Sequence, residues 1–175
     1  MPRKLKTIEI ERISVEEFHL AEKTPLVVVL DNVRSMYNIG SVFRTADAFR
    51  IEKVILCGIT ATPPSNEIHK TALGAEESVE WKYFKDTMDA VTYLKGKGYK
   101  LCAIEQCDGS VMLNDFKIEI GKKYAVFMGN EVKGVQQTVI DECDVCIEIP
   151  QFGTKHSMNV SVTAGIVMWE FAKCQ

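Results

Sequence analysis

Uninterrupted apolar stretches alternate along the chain with stretches whose apolar positions recur every three or four residues. Leu26 to Leu30 (LVVVL) is a continuous run rich in β-branched residues, the pattern of a strand covered on both faces. From Asn38 to Arg50 the apolar residues fall at 39, 42, 43, 46 and 49, one stripe of a helix that Asn38 is placed to cap. Lys53 to Cys57 (KVILC) is a second strand, stopped by Gly58. The Pro, Ser and Thr content of Thr60 to Asn66 predicts a loop, and Glu67 to Leu73 a short helix ended by Gly74. Val79 to Phe84, Tyr99 to Ile104, Tyr124 to Met128 and Val145 to Ile149 read as further strands. Among them, Asp86 caps a helix that runs to Lys95, and Val135 to Ile140 forms a short one. Met158 to Lys173 forms the last helix, with Ser157 as its cap.

Strands separated by helices predict an α/β fold, a mostly parallel sheet with helices on both faces. Residues 1–24 read as a short N-terminal extension with a helix across Val15 to Ala21, and residues 25–175 as one domain. In such sheets ligands sit beyond the carboxyl ends of the strands. The residues that follow each strand are therefore where chemistry is sought.

Composition narrows the picture. Hydrophobic residues make up 46% of the chain and charged residues 26%, the balance of a soluble globular protein. No apolar run is long enough to span a bilayer and the first residues lack a signal-type stretch, so a cytoplasmic location is expected, with no membrane partner. A net charge of −3 argues against binding nucleic acid by overall charge, DNA included. It leaves room for a local basic groove, for which Arg3, Lys4 and Lys6, and Arg34, Arg44, Arg50 and Lys53, are candidates. The six cysteines read as free thiols. Cys143 and Cys146 form a C-x-x-C without partners at zinc-ligand spacing, so no metal is expected.

Three strand-end segments carry candidate chemistry. In Asp31 to Arg44 (DNVRSMYNIGSVFR), Asn38, Gly40 and Arg44 are spaced N-x-G-x-x-x-R, with Gly40 permitting close backbone approach at a helix start. In Phe127 to Val135 (FMGNEVKGV), Gly129 and Gly134 flank Glu131, the composition of a tight loop pressed against a ligand. In Ile149 to Gly165 (IPQFGTKHSMNVSVTAG), Ser157, Asn159 and Ser161 open an otherwise apolar helix. None of these is a G-x-G-x-x-G loop, a P-loop or a G-x-S-x-G elbow. His19 and His69 have no evident partners, and His156 reads as a loop contact.

Taken in order, the three segments resemble motifs 1, 2 and 3 of the SpoU (TrmH-like) branch of the SPOUT RNA 2′-O-ribose methyltransferases, from about Leu26 to the C-terminus. Met158 stands where that family usually has Leu, a swap that conserves volume. Lys70 to Ala75 (KTALGA) is similar to a family stretch near the RNA-binding surface. The resemblance implies a C-terminal deep trefoil knot, a homodimer and S-adenosyl-L-methionine as cofactor. It implies that Gly129, Ile149, Ser157 and Met158 line the cofactor pocket, with a contribution from the strand end at Ile104 to Gln106. Arg44 matches the catalytic arginine, and Asn38, Glu131 and Asn159 the polar residues around it.

The implied reaction is methyl transfer to a ribose hydroxyl of RNA, with the short chain pointing to tRNA before rRNA. A guanidinium is always protonated in proteins, which favours Arg44 as a stabiliser of charge on the attacking oxygen over Arg44 as the base. Glu131 is expected to brace its loop by hydrogen bonds to Asn38 and Asn159 before it moves a proton. Two other functions compete: a knotted module that binds RNA without catalysis, and a knotted methyltransferase that acts on a base.

Overall fold

The computed structural model describes residues 1–174. After a 3-10 turn at Thr7–Glu9, the order is α1 (Val15–Leu20), β1 (Thr24–Asp31), α2 (Met36–Ala48), β2 (Ile51–Cys57), α3 (Asn66–Ala72), α4 (Ala75–Ser78), β3 (Trp81–Phe84), α5 (Thr87–Gly96) and β4 (Lys100–Ile104). There follow β5 (Val111–Met112), β6 (Tyr124–Met128), α6 (Gln137–Ile140), β7 (Val145–Glu148) and α7 (Val160–Ala172). The seven strands form one sheet in the order β3-β2-β1-β6-β4-β7-β5, and every neighbouring pair is parallel.

The β-branched run of β1 lies near the centre, between β2 and β6, and is wholly buried from Leu26 to Leu30. Its side chains alternate between two apolar layers, as the period of two demands. Leu26, Val28 and Leu30 pack with residues of α2 and α7, while Val27 and Val29 pack with residues of α5 and α6. Helices thus cover both faces, as the alternation of elements predicts. The N-terminal helix α1 is fixed by a capping box between Ser14 and Glu17, and it buries Phe18 in the first layer.

Two helix starts differ from the reading of the sequence. Ser35, not Asn38, caps α2, accepting from the Asn38 amide at 3.3 Å. Asn38 lies inside the first turn, and its side chain is free to point elsewhere. At α7 the cap is Asn159, not Ser157; it accepts from the amides of Ser161 and Val162. Asp86 caps α5 as expected, accepting from Met88 at 2.9 Å. Gly40 serves helix packing: a Cβ there would stand 2.1 Å from Thr71 Oγ1 and 2.2 Å from the Ile68 carbonyl, so its absence lets α3 close on α2.

Candidate active site

A cavity of about 640 Å³ opens beyond the carboxyl ends of β4, β6 and β7. One wall is the loop after β6, residues 129–135, and the other is the segment after β7, residues 149–159. Ile147, Ile149 and Met158 make the cavity apolar on one side, and Glu131 and Asn159 make it polar on another. Gly129, Ile149, Ser157 and Met158 all line it, and Ile104, Glu105 and Gln106 close the base between the walls.

Both glycines of the first wall are required by backbone geometry. Asn130 and Gly134 exchange two backbone hydrogen bonds, 3.1 and 2.9 Å, which folds the loop back on itself. A Cβ at Gly129 would lie 2.1 Å from the backbone of Gly134 and Val135. Gly134 has a φ of +69°, in the left-handed region that glycine enters without penalty. The loop is thus tight, as its glycines predict, and it is pressed against its own return while it lines the cavity.

Glu131 reaches from this loop to the start of α2. Its carboxylate accepts from the amides of Arg34 (2.9 Å) and Ser35 (3.0 Å) and from Asn38 Nδ2 (3.2 Å). Asn38 Oδ1 in turn accepts from Asn159 Nδ2 at 3.1 Å, and Ser161 Oγ lies 2.7 Å from Asn159 Oδ1. Residues 93 and 121 positions apart are therefore joined into one array, because β1 and β6 are neighbours and α7 packs on α2. Glu131 braces Asn38 directly and Asn159 through it. Partial burial pushes the Glu131 carboxyl up, but the amides of Arg34 and Ser35 outweigh burial and hold it below its ordinary value. A carboxylate so held is a poor proton acceptor at neutral pH and a good bracket.

Arg44 lies outside the cavity, exposed on α2. Among the described residues its side chain makes no ion pair or hydrogen bond, so the guanidinium is free to meet an incoming group. His69, read as lacking a partner, stands 2.6 Å from Glu76 Oε1. Burial pushes the thiols of Cys57, Cys107 and Cys143 up to about 12, so they are protonated and inert at neutral pH. Among the described residues no group of three or more His, Cys, Asp or Glu side chains could hold a metal ion. Nor is any described helix long and apolar enough to cross a membrane.

Sequence reasoning missed one polar centre, Asp31. It is wholly buried at the end of β1 and accepts from Thr87 Oγ1, Gln136 Nε2, the Gln136 amide and Asn32 Nδ2. A carboxylate closing an apolar run was the available signal. A second cavity, about 760 Å³, lies at the amino ends of β1 and β6 beside Trp169. It is the larger, yet it holds none of the polar groups of the three segments and lies at the end of the sheet opposite to where ligands bind in such folds.

The SpoU rRNA Methylase family matches residues 25–169. The chain is 32% identical over 151 residues to the 23S rRNA (guanosine-2′-O-)-methyltransferase RlmB of Neisseria meningitidis, covering 83% of this chain and 57% of that one. It is 30% identical to an uncharacterized tRNA/rRNA methyltransferase of Borreliella burgdorferi, covering 97% of this chain and 72% of that one. The crystal structure of an AdoMet-bound rRNA methyltransferase from Sinorhizobium meliloti superposes with a TM-score of 0.81 at 28% identity, covering 87% of this chain and 57% of that one. The chain thus spans just over half the length of two of these relatives.

Proposed function

Since the chain belongs to the SpoU rRNA methylase family, we propose that it transfers the methyl group of S-adenosyl-L-methionine to a ribose 2′-hydroxyl of a tRNA or an rRNA. One observation carries the reading: the Glu131–Asn38–Asn159 array stands at the edge of a cavity walled by the loops after β6 and β7. The cavity suits the cofactor. Its volume, about 640 Å³, lies within the range of small-molecule sites. Ile147, Ile149 and Met158 offer an apolar surface to a purine, and the backbone polar groups of Gly129 and Ser157 offer partners to its edges.

The cofactor, when bound, supplies an electrophilic methyl group and leaves as a neutral thioether. The work left to the chain is to align the ribose oxygen and stabilise the charge that grows on it. Arg44 stabilises that charge. Asn38 and Asn159 orient the acceptor, and Glu131 holds them. A C-terminal trefoil knot accords with family membership and with a pocket built from two loops of the C-terminal half. A homodimer accords with the apolar face that α7 presents to solvent: Val162, Ile166 and Trp169 are all exposed, at helical spacing. A cytoplasmic location and residues 1–24 as an extension ahead of the catalytic domain complete the reading.

The test is methyl transfer from labelled cofactor to tRNA and rRNA, followed by nucleoside mapping. Methyl on ribose supports the proposal; methyl on a base, or no transfer to either RNA, overturns it. Arg44→Ala is expected to lower turnover at least 100-fold, on the order of an oxyanion donor's loss, with cofactor affinity unchanged. Arg44→Lys recovering activity only at high pH would restore the role of base.

A further inference from the structure

In the sheet, β4 lies between β6 and β7, the two strands whose following loops wall the cavity. The first residues past β4 therefore stand between the walls. They are Glu105 and Gln106, and both line the cavity. Glu105 is seated against the first wall: its Oε2 accepts from the Val135 amide at 3.0 Å, and its Oε1 from the Gln106 amide at 2.9 Å. The fit is close, since a Cβ on Gly134 would lie 2.1 Å from Glu105 Oε2. Gln106 reaches the other way, its Nε2 donating to the His156 carbonyl at 2.7 Å, next to Ser157 of the second wall.

We propose that Glu105 and Gln106 are the positioning pair of the cofactor pocket, setting the spacing of its two walls before the ligand arrives. The proposal rests on the cofactor reading above. The chemistry is asymmetric and matches the two side chains. The first wall presents an N–H and needs an acceptor, which a carboxylate supplies at both oxygens. The second presents a carbonyl and needs a donor, which only the amide supplies. Neither residue belongs to the apolar layers: Glu105 is half-buried and Gln106 exposed. Their contacts thus act on loops and not on the core, and a pocket whose walls are fixed in advance loses less entropy when it binds.

The test uses the full chain with S-adenosylhomocysteine as probe. Affinity is measured by calorimetry, unliganded stability by thermal melting, and loop closure by amide hydrogen exchange. Glu105→Gln and Gln106→Ala are each expected to weaken binding about tenfold, the worth of one well-made hydrogen bond, while Tm moves little. Exchange should quicken at Val135 in the first variant and around Ser157 in the second. At saturating cofactor, turnover should return towards normal, so that KM rises and kcat is largely kept. Gln106→Glu, with no donor and a carboxylate facing the carbonyl, should bind more weakly than Gln106→Ala. Affinities within twofold of the parent in both variants overturn the inference alone. So does a weakening matched by faster exchange throughout the core, which marks general destabilisation. A parent protein that does not bind S-adenosylhomocysteine overturns the cofactor reading and this inference with it.

Discussion

Asp31 and Glu131 are both carboxylates at the carboxyl ends of adjacent strands, Asp31 as the last residue of β1 and Glu131 in the loop that follows β6, and both accept from backbone amides. Their surroundings differ. Asp31 is wholly buried and takes four hydrogen bonds, three at Oδ1 from Thr87 Oγ1, Gln136 Nε2 and Asn32 Nδ2 and one at Oδ2 from the Gln136 amide. Glu131 is exposed, takes three from other residues, and lines the cavity. A carboxylate held on both oxygens by its own chain and shut from solvent is out of a ligand's reach; it ties strands and loops together. One that is braced yet open holds its neighbours in place and still faces what enters.

That contrast can be broken by substitution. Asp31→Ala would leave the buried Thr87 hydroxyl without its acceptor, untie Gln136 and Asn32 from the end of β1 and open a void there, a loss of about 3 kcal/mol. At about 2–4 °C per kcal/mol for a chain of this size, thermal melting should show Tm falling by roughly 6–12 °C. The folded fraction should still bind S-adenosylhomocysteine with near-parental affinity. Glu131→Ala should do the reverse. Removing an exposed side chain should lower Tm by only a degree or two. Freeing Asn38 and the 129–135 loop should cut methyl transfer about 100-fold, as measured by tritium incorporation into RNA. If Asp31→Ala lost activity without losing stability, the division between a structural and a functional carboxylate would collapse.

How far the sequence discloses these sites depends on what each rests upon. The α/β fold and six of the seven strands follow from apolar runs, because burial on both faces writes itself into consecutive residues. The missing strand, β5, is two half-exposed residues, Val111 and Met112, and leaves no periodic trace. Glu131 and Asn159 stand out because glycines or an apolar helix frame them. Asp31 does not, and at the strand end Ile104 to Gln106 the resemblance marks the place but not the contacts of Glu105 and Gln106, for these partners lie 30 to 105 residues away and exist only once the strand order is known. The helix caps were misplaced for a local reason. Ser35 and Asn38 are both good caps; Ser35 takes the Asn38 backbone amide, while the Asn38 side chain is engaged by Glu131 and Asn159 from distant parts of the chain.

The smallest expected effect is that of pH, and it acts on Glu131. The amides of Arg34 and Ser35 and the Asn38 side chain stabilise its charged form against the cost of partial burial, so its pKa is lower in the folded protein than in the unfolded chain. The bracing is therefore fully present above the unfolded value of about 4.3 and fades as pH falls through the folded value. Ligand affinity should be flat between about pH 5 and 8 as far as this group is concerned. Below about pH 4 amide exchange at Arg34 and Ser35 should quicken as their acceptor is neutralised, relative to control amides whose exchange reports the intrinsic change with pH. Glu131→Gln provides the control: its neutral amide should show faster exchange at those two positions at every pH and no acid-linked step. A parent protein whose exchange at Arg34 and Ser35 shows the same pH dependence as this variant would mean that the carboxylate charge does not hold the loop to α2, and that Glu131, like Asp31, acts through shape and packing alone.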